Sequence, residues 1–193
     1  MLHLQSLTDK NWVEVAESNI EQILSDHAWC EQKAASSAIS MIVKFPEFPE
    51  VVSKMTELVA EEIGHFGRVH QFILKRNLQL APERKDNYVN DLLKFLKNGG
   101  DRKTQLIERL LIAAMIEARS CERFKVLSMN VKDIELAQFY RELMESEAAH
   151  YTMFITLARS IGKREMVDLR WRELVQFEEE IMKNYGTHGA IHG

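Results

Sequence analysis

Apolar positions recur along the chain at helical spacing almost from end to end. A stripe of Ile134, Ala137, Tyr140, Leu143 and Met144 resumes at Phe154 and Ala158. Carried through the gap at a period of 3.6, it crosses Glu147 and His150. A second stripe holds Val52, Met55, Leu58, Val59, Phe66, Val69, Phe72 and Ile73, and it crosses Glu62 and His65. Two helices thus aim a Glu-x-x-His pair at their own buried face.

Punctuation between the stripes predicts the elements. Helices are expected over about Asp9–Leu24, Asp26–Lys44 with Ser25 as cap, and Glu50–Arg76 after Pro49. A short helix over about Asn87–Lys97 stops at Gly99-Gly100. Asp101 caps a helix to about Met129, Asp133 begins one to about Ser160, and a last helix covers about Arg164–Tyr185. Residues from about 186 to 193 are expected to form a flexible tail. No segment alternates with period two. Two tightly joined helix pairs, separated by a connection from Asn77 to Asp101, predict an all-α, ferritin-like four-helix bundle with a long crossover and accessory helices. The 193 residues fit one domain, 1–193.

Each pair supplies a partner for its Glu-x-x-His. Glu31 lies among Leu24, Ala28, Ala34, Ala35, Ala38 and Ile42; Glu117 lies among Ile107, Leu110, Ala114, Cys121 and Phe124. Glu31 to Glu62 spans 31 residues and Glu117 to Glu147 spans 30, so in antiparallel pairs the groups share one depth. Glu122 is the alternative to Glu117. Four buried carboxylates repel one another and lose hydration. Two divalent cations would neutralise all four and use both imidazoles, and mixed oxygen and nitrogen donors suit iron or manganese. The metal-ligand and catalytic candidates are therefore Glu31, Glu62, His65, Glu117, Glu147 and His150. His27 and His70 read as polar packing, and His188 and His192 as tail residues.

Composition narrows the class. Only 8 Gly and 3 Pro accompany 46% apolar residues, which favours long helices over turn-rich sheets. Cys30 and Cys121 read as reduced core thiols. No apolar run has membrane-span length and no signal peptide opens the chain, so a cytoplasmic protein without a membrane partner is expected. Net charge is −4, yet Leu74–Lys103 carries +4 and the remainder −8.

The stretches "HAWCEQKAA", "EEIGHF", "IEARSCERF" and "ESEAAHYTMF" resemble the tRNA 2-methylthio-N6-isopentenyladenosine hydroxylase family over about Leu4–Tyr185. The resemblance implies a ferritin-like di-iron monooxygenase with two iron ions, O2 as co-substrate, and the six residues above as ligands. It implies hydroxylation of the isopentenyl side chain of a modified adenosine next to the tRNA anticodon. Its partners would be tRNA and an electron-donor protein or reductase, not DNA. The larger multicomponent monooxygenases commonly place an Asp before each Glu of the motif; here Glu61 and Ser146 stand there. Met115, Phe66, Tyr140 and Tyr151 are candidate pocket residues. The +4 crossover is the candidate RNA surface, and Arg119 and Arg123 could flank the site mouth or form structural ion pairs. A ferritin or rubrerythrin-like iron or peroxide protein is the alternative. Rubrerythrins usually add a four-cysteine iron site, for which two Cys are too few.

Overall fold

A computed structural model describes residues 2–9, 11–97, 99–185 and 190–192. Among these residues all regular structure is helical. The α-helices are α1 (Trp12–Ser18), α2 (Ile20–Lys44), α3 (Pro49–Lys75), α4 (Asn87–Leu92), α5 (Arg102–Asn130), α6 (Ile134–Ile161) and α7 (Arg164–Met182). A 3-10 turn over Leu93–Phe95 extends α4. No helix among the described residues is long and apolar enough to cross a membrane.

The helix starts follow local chemistry. Pro49 occupies the first turn of α3, where its missing N–H leaves no orphan. The side chains of Asp86, Asp101 and Asp133 accept from the backbone N–H groups of Val89, Thr104 and Leu136 at 2.9, 2.7 and 3.0 Å. Each satisfies an N–H that the helix itself cannot. Gly99 and Gly100 take φ values of +84° and +86°, which a side chain would resist.

The chain divides into two compact units. One, built on residues 16–85, is the α2/α3 hairpin. Its buried apolar face draws Ile23, Leu24, Ala28, Ala35, Ala38 and Met41 from α2 and Val51, Met55, Leu58, Val69, Phe72 and Ile73 from α3. One predicted boundary is corrected here. The break falls at Asn19, and Ser25 lies buried inside α2 rather than capping it. Its hydroxyl instead accepts from the Ala81 backbone N–H at 3.1 Å, tying down the segment after α3. Trp29 Nε1 donates to the Ala81 carbonyl at 2.8 Å and Lys33 Nζ to that of Arg84 at 2.8 Å. A tertiary partner for the hydroxyl thus overrides its capping tendency.

The other unit holds α4 to α7 and the amino-terminal segment up to Val15. Its α5/α6 hairpin is braced by α7. Arg170 lies 3.5 Å over the Phe95 ring and donates to Glu108 at 2.6 and 2.7 Å. Gly162 turns the chain from α6 into α7 where a Cβ would stand 2.7 Å from Ile107 Cδ1.

A buried polar network runs through this unit. Arg119, fully buried, donates to Glu178 at 2.9 and 2.5 Å, to Glu122 at 3.2 Å and to the Ser6 carbonyl at 3.0 Å. Tyr88 donates to the same Glu178 oxygen at 3.2 Å. The tail expectation also changes where the residues are described. Ile191 and His192 are buried, not loose. Ile191 N–H donates to Asp26 at 2.7 Å, and His192 meets Asp86 at 2.7 Å and Ser120 at 3.0 Å. These polar partners lie too far off in sequence for periodicity to reveal. Residues 186–189 and 193, His188 among them, lie outside the described residues. The last helix ends at Met182 rather than Tyr185, whose hydroxyl donates to Asp91 at 2.7 Å.

Candidate metal centre

In the α2/α3 hairpin, Glu31, Glu62 and His65 are all buried, with one donor atom from each within 4.8 Å of the others. The three come together because Glu62 and His65 are one turn apart on α3 and Glu31 lies at the same depth on α2. His65 Nδ1 is 3.4 Å from Glu62 and 3.8 Å from Glu31. Its other nitrogen, Nε2, is 3.9 Å from half-exposed Glu61. That distance exceeds a direct hydrogen bond, but Glu61 is on the side where a partner for a ligating imidazole would stand.

The α5/α6 hairpin repeats the set. Glu117, Glu147 and His150 are buried, again with one donor atom from each within 4.8 Å of the others. His150 Nδ1 is 3.7 Å from Glu147 Oε2. Glu147 Oε1 is buried and has no hydrogen-bond partner among the described residues. A buried carboxylate oxygen left this way is what a cation would complete, so the residues fit a metal. The Cys121 thiol, one turn past Glu117, donates to the Met144 carbonyl at 3.3 Å. Burial, followed by the Glu147 charge, pushes it up to about 11.

Glu122 stands apart from this triad. Thr8 donates to it through both its backbone N–H, at 3.0 Å, and its hydroxyl, and Arg119 occupies it further. It anchors the amino-terminal segment, while Glu117 is the carboxylate placed with Glu147 and His150. Arg119 and Arg123 are both fully buried, and for Arg119 the ion-pair alternative holds. Arg123 lies 4.2 Å over the Trp12 ring, and none of its guanidinium nitrogens has a hydrogen-bond partner among the described residues. Burial draws it down to about 10 against the pull of Glu122.

Of the candidate pocket residues, Met115 and Tyr140 are fully buried, while Phe66 and Tyr151 are half-buried. His70 stacks on Phe66 with centroids 6.2 Å apart, which is packing. His27 has a further contact. Its Nε2 is 2.6 Å from Glu31 Oε1. The signal was present in the sequence, a donor one helical turn before a ligand candidate, but that spacing is common on any helix.

Known proteins match nearly the whole chain. A hydroxylase of Pseudomonas putida named for tRNA 2-(methylsulfanyl)-N(6)-isopentenyladenosine(37) is 33% identical, over 91% of this chain and 88% of its own. Its namesake from Salmonella typhimurium is 26% identical, over 91% and 82%. A solved Synechococcus protein with aldehyde deformylating oxygenase activity superposes with a TM-score of 0.91 at 30% identity, covering 98% of this chain and 95% of that one. The fold is the all-α, ferritin-like class expected from the sequence. The family model for tRNA-(MS[2]IO[6]A)-hydroxylase (MiaE) matches residues 1–193, and the chain belongs to this family of tRNA-modifying enzymes.

Proposed function

We propose that Glu31, Glu62, His65, Glu117, Glu147 and His150 together hold two iron ions, and that the protein hydroxylates the isopentenyl side chain of 2-(methylsulfanyl)-N6-isopentenyladenosine beside the tRNA anticodon. The observation that carries this is the repeated triad of two buried carboxylates and one imidazole, in a chain of this family. When bound, the iron pair supplies activation of O2 for insertion into an allylic C–H bond. The overall change balances: the C–H bond, O2, two electrons and two protons give the alcohol and water. An electron-carrier protein or reductase in the cytoplasm supplies the electrons.

The residues contribute in distinct ways. Four carboxylates offset the charge of two divalent ions, and both imidazoles present Nδ1 toward their carboxylates. Burial keeps water from the reacting side chain. The target adenosine must leave its stack to reach such a site. The +4 connection from Leu74 to Lys103 supplies charge for the RNA backbone, although Lys94 is also paired with Asp91 at 2.6 Å. Reversing Lys94 and Lys97 to Glu should weaken tRNA binding and flatten its salt dependence by about 0.7 to 0.9 per lost phosphate contact.

The direct test is mass spectrometry of nucleosides from isopentenylated tRNA incubated with iron-loaded protein, O2 and a reductant. The modified adenosine should gain one oxygen, and labelled O2 should supply it. An unchanged nucleoside together with deformylation of an aldehyde would shift the reading toward the Synechococcus protein's activity. Unchanged nucleoside with iron mineralisation or peroxide consumption would shift it toward storage or peroxide reduction.

A further inference from the structure

We propose that His27 is a positioning residue that makes Glu31 a one-oxygen ligand. The inference rests on the two-iron reading above. His27 is fully buried and Glu31 nearly so, and Nε2 stands 2.6 Å from Oε1. An ionised carboxylate can only accept, so the imidazole Nε2–H donates to Oε1. Helical side chains lean toward the amino terminus, so Glu31 reaches back over the turn that carries His27. The contact is therefore built into α2 and needs no adjustment elsewhere. With Oε1 engaged, Oε2 is the oxygen that faces His65, at 3.8 Å from Nδ1.

The other half lacks this device. One turn before Glu117 stands Ala113, which has no side-chain donor. One turn after it stands Cys121, which spends its thiol hydrogen on the Met144 carbonyl rather than on a carboxylate. By the His27 contact Glu31 is held in one mode of ligation. Support of this kind around a ligating group typically changes metal affinity or activity by about 10- to 100-fold.

The test uses the full chain titrated with iron(II) without oxygen, and with cobalt(II) as a spectroscopic probe. His27→Ala should weaken one of two metal sites by about 10- to 100-fold and leave the other unchanged. Its cobalt(II) ligand-field absorption should fall, because Glu31, released, ligates through both oxygens and raises the coordination number. A change of packing alone would not produce that signature. His27→Gln, whose amide N–H reaches Glu31 from the same position, should restore both the affinity and the spectrum. If wild-type protein binds two metals and His27→Ala binds both with unchanged affinity and spectrum, the positioning role is wrong. Failure of His27→Gln to restore either readout overturns it as well. If wild-type protein itself binds one metal or fewer, the two-iron reading fails, and this inference with it.

Discussion

The α2/α3 and α5/α6 hairpins carry the same set of two carboxylates and one imidazole at nearly the same spacing, in different surroundings. In α2/α3 the support is local and light. His27 holds Glu31 from one turn away, small Ala28, Ala35 and Ala38 allow close helix approach, and Ser25 fastens the following loop. In α5/α6 it is distant and ionic. Arg119 gathers Glu122, Glu178 and the Ser6 carbonyl, and Arg170 gathers Glu108 and the Phe95 ring. The repeated triad shows that the ligand pattern constrains the buried face of each hairpin. The unequal surroundings show that what packs around such a triad is free to differ.

The comparison can be broken at the triads themselves. If the halves are equivalent in their ligands, Glu62→Ala and Glu147→Ala should each abolish hydroxylation and reduce iron from about two per chain to one or fewer. Metal analysis of anaerobically reconstituted protein decides this. Full activity in either variant would remove that half from the centre.

The supports differ in how much they stabilise. Arg119→Leu removes the buried cation that Glu178 and Glu122 share and should destabilise by about 3–5 kcal/mol, as for other broken buried pairs. Ser25→Ala strands one backbone N–H and should remove only about 1–3 kcal/mol. Urea unfolding of the two variants measures the contrast, and equal losses would erase it.

A smaller effect sits at the α6/α7 corner. Gly162→Ala brings a methyl group to 2.7 Å from Ile107 Cδ1 and 3.0 Å from Val167 Cγ2. Ile107 is reached at its terminal carbon, which can rotate away, and the backbone at Gly162 is extended, with φ −110°. The loss should be about 1 kcal/mol, the low end for overpacking, read from the unfolding midpoint. A loss above about 3 kcal/mol would show that the corner cannot yield.

The smallest effect sharpens the difference between the two positions one turn past the ligand glutamates, Ala35 and Cys121. Burial raises the Cys121 thiol from 9 to about 11. The raised value means the folded state holds its proton more tightly than the unfolded state does. The associated stability is complete below pH 9 and is lost as pH rises through 11. Alkylation of Cys121 in native protein should therefore need a pH near 11, against about 9 in urea. Rapid native alkylation at pH 8 would contradict the burial that sets the shift.

Periodicity located the long helices to within a few residues, and the polar interruptions of their stripes picked out all six ligand candidates. It misplaced the start of α2, because Ser25 reads as a cap until Ala81 is seen bonded to its hydroxyl. It left Glu117 and Glu122 unresolved, since α5 is buried over a wide arc and offers no single stripe. It took Arg119 and Arg123 no further than a choice between site mouth and ion pair, and it read His192 as a tail residue. In each case the deciding partner, Ser6, Thr8, Trp12, Glu178 or Asp86, is distant in sequence.

The sequence by itself determined the helical fold class, the matched spacing of two carboxylate and imidazole triads, and membership of a tRNA hydroxylase family. Those features are written in short-range periods and in motifs, which a chain carries whether or not it is folded. Only the tertiary structure decided which acidic residues face a triad and which anchor the amino-terminal segment. Those choices depend on which distant groups reach hydrogen-bonding distance once the helices pack. A buried polar atom takes whichever partner the fold brings to it, because remaining without one costs more than any local preference supplies.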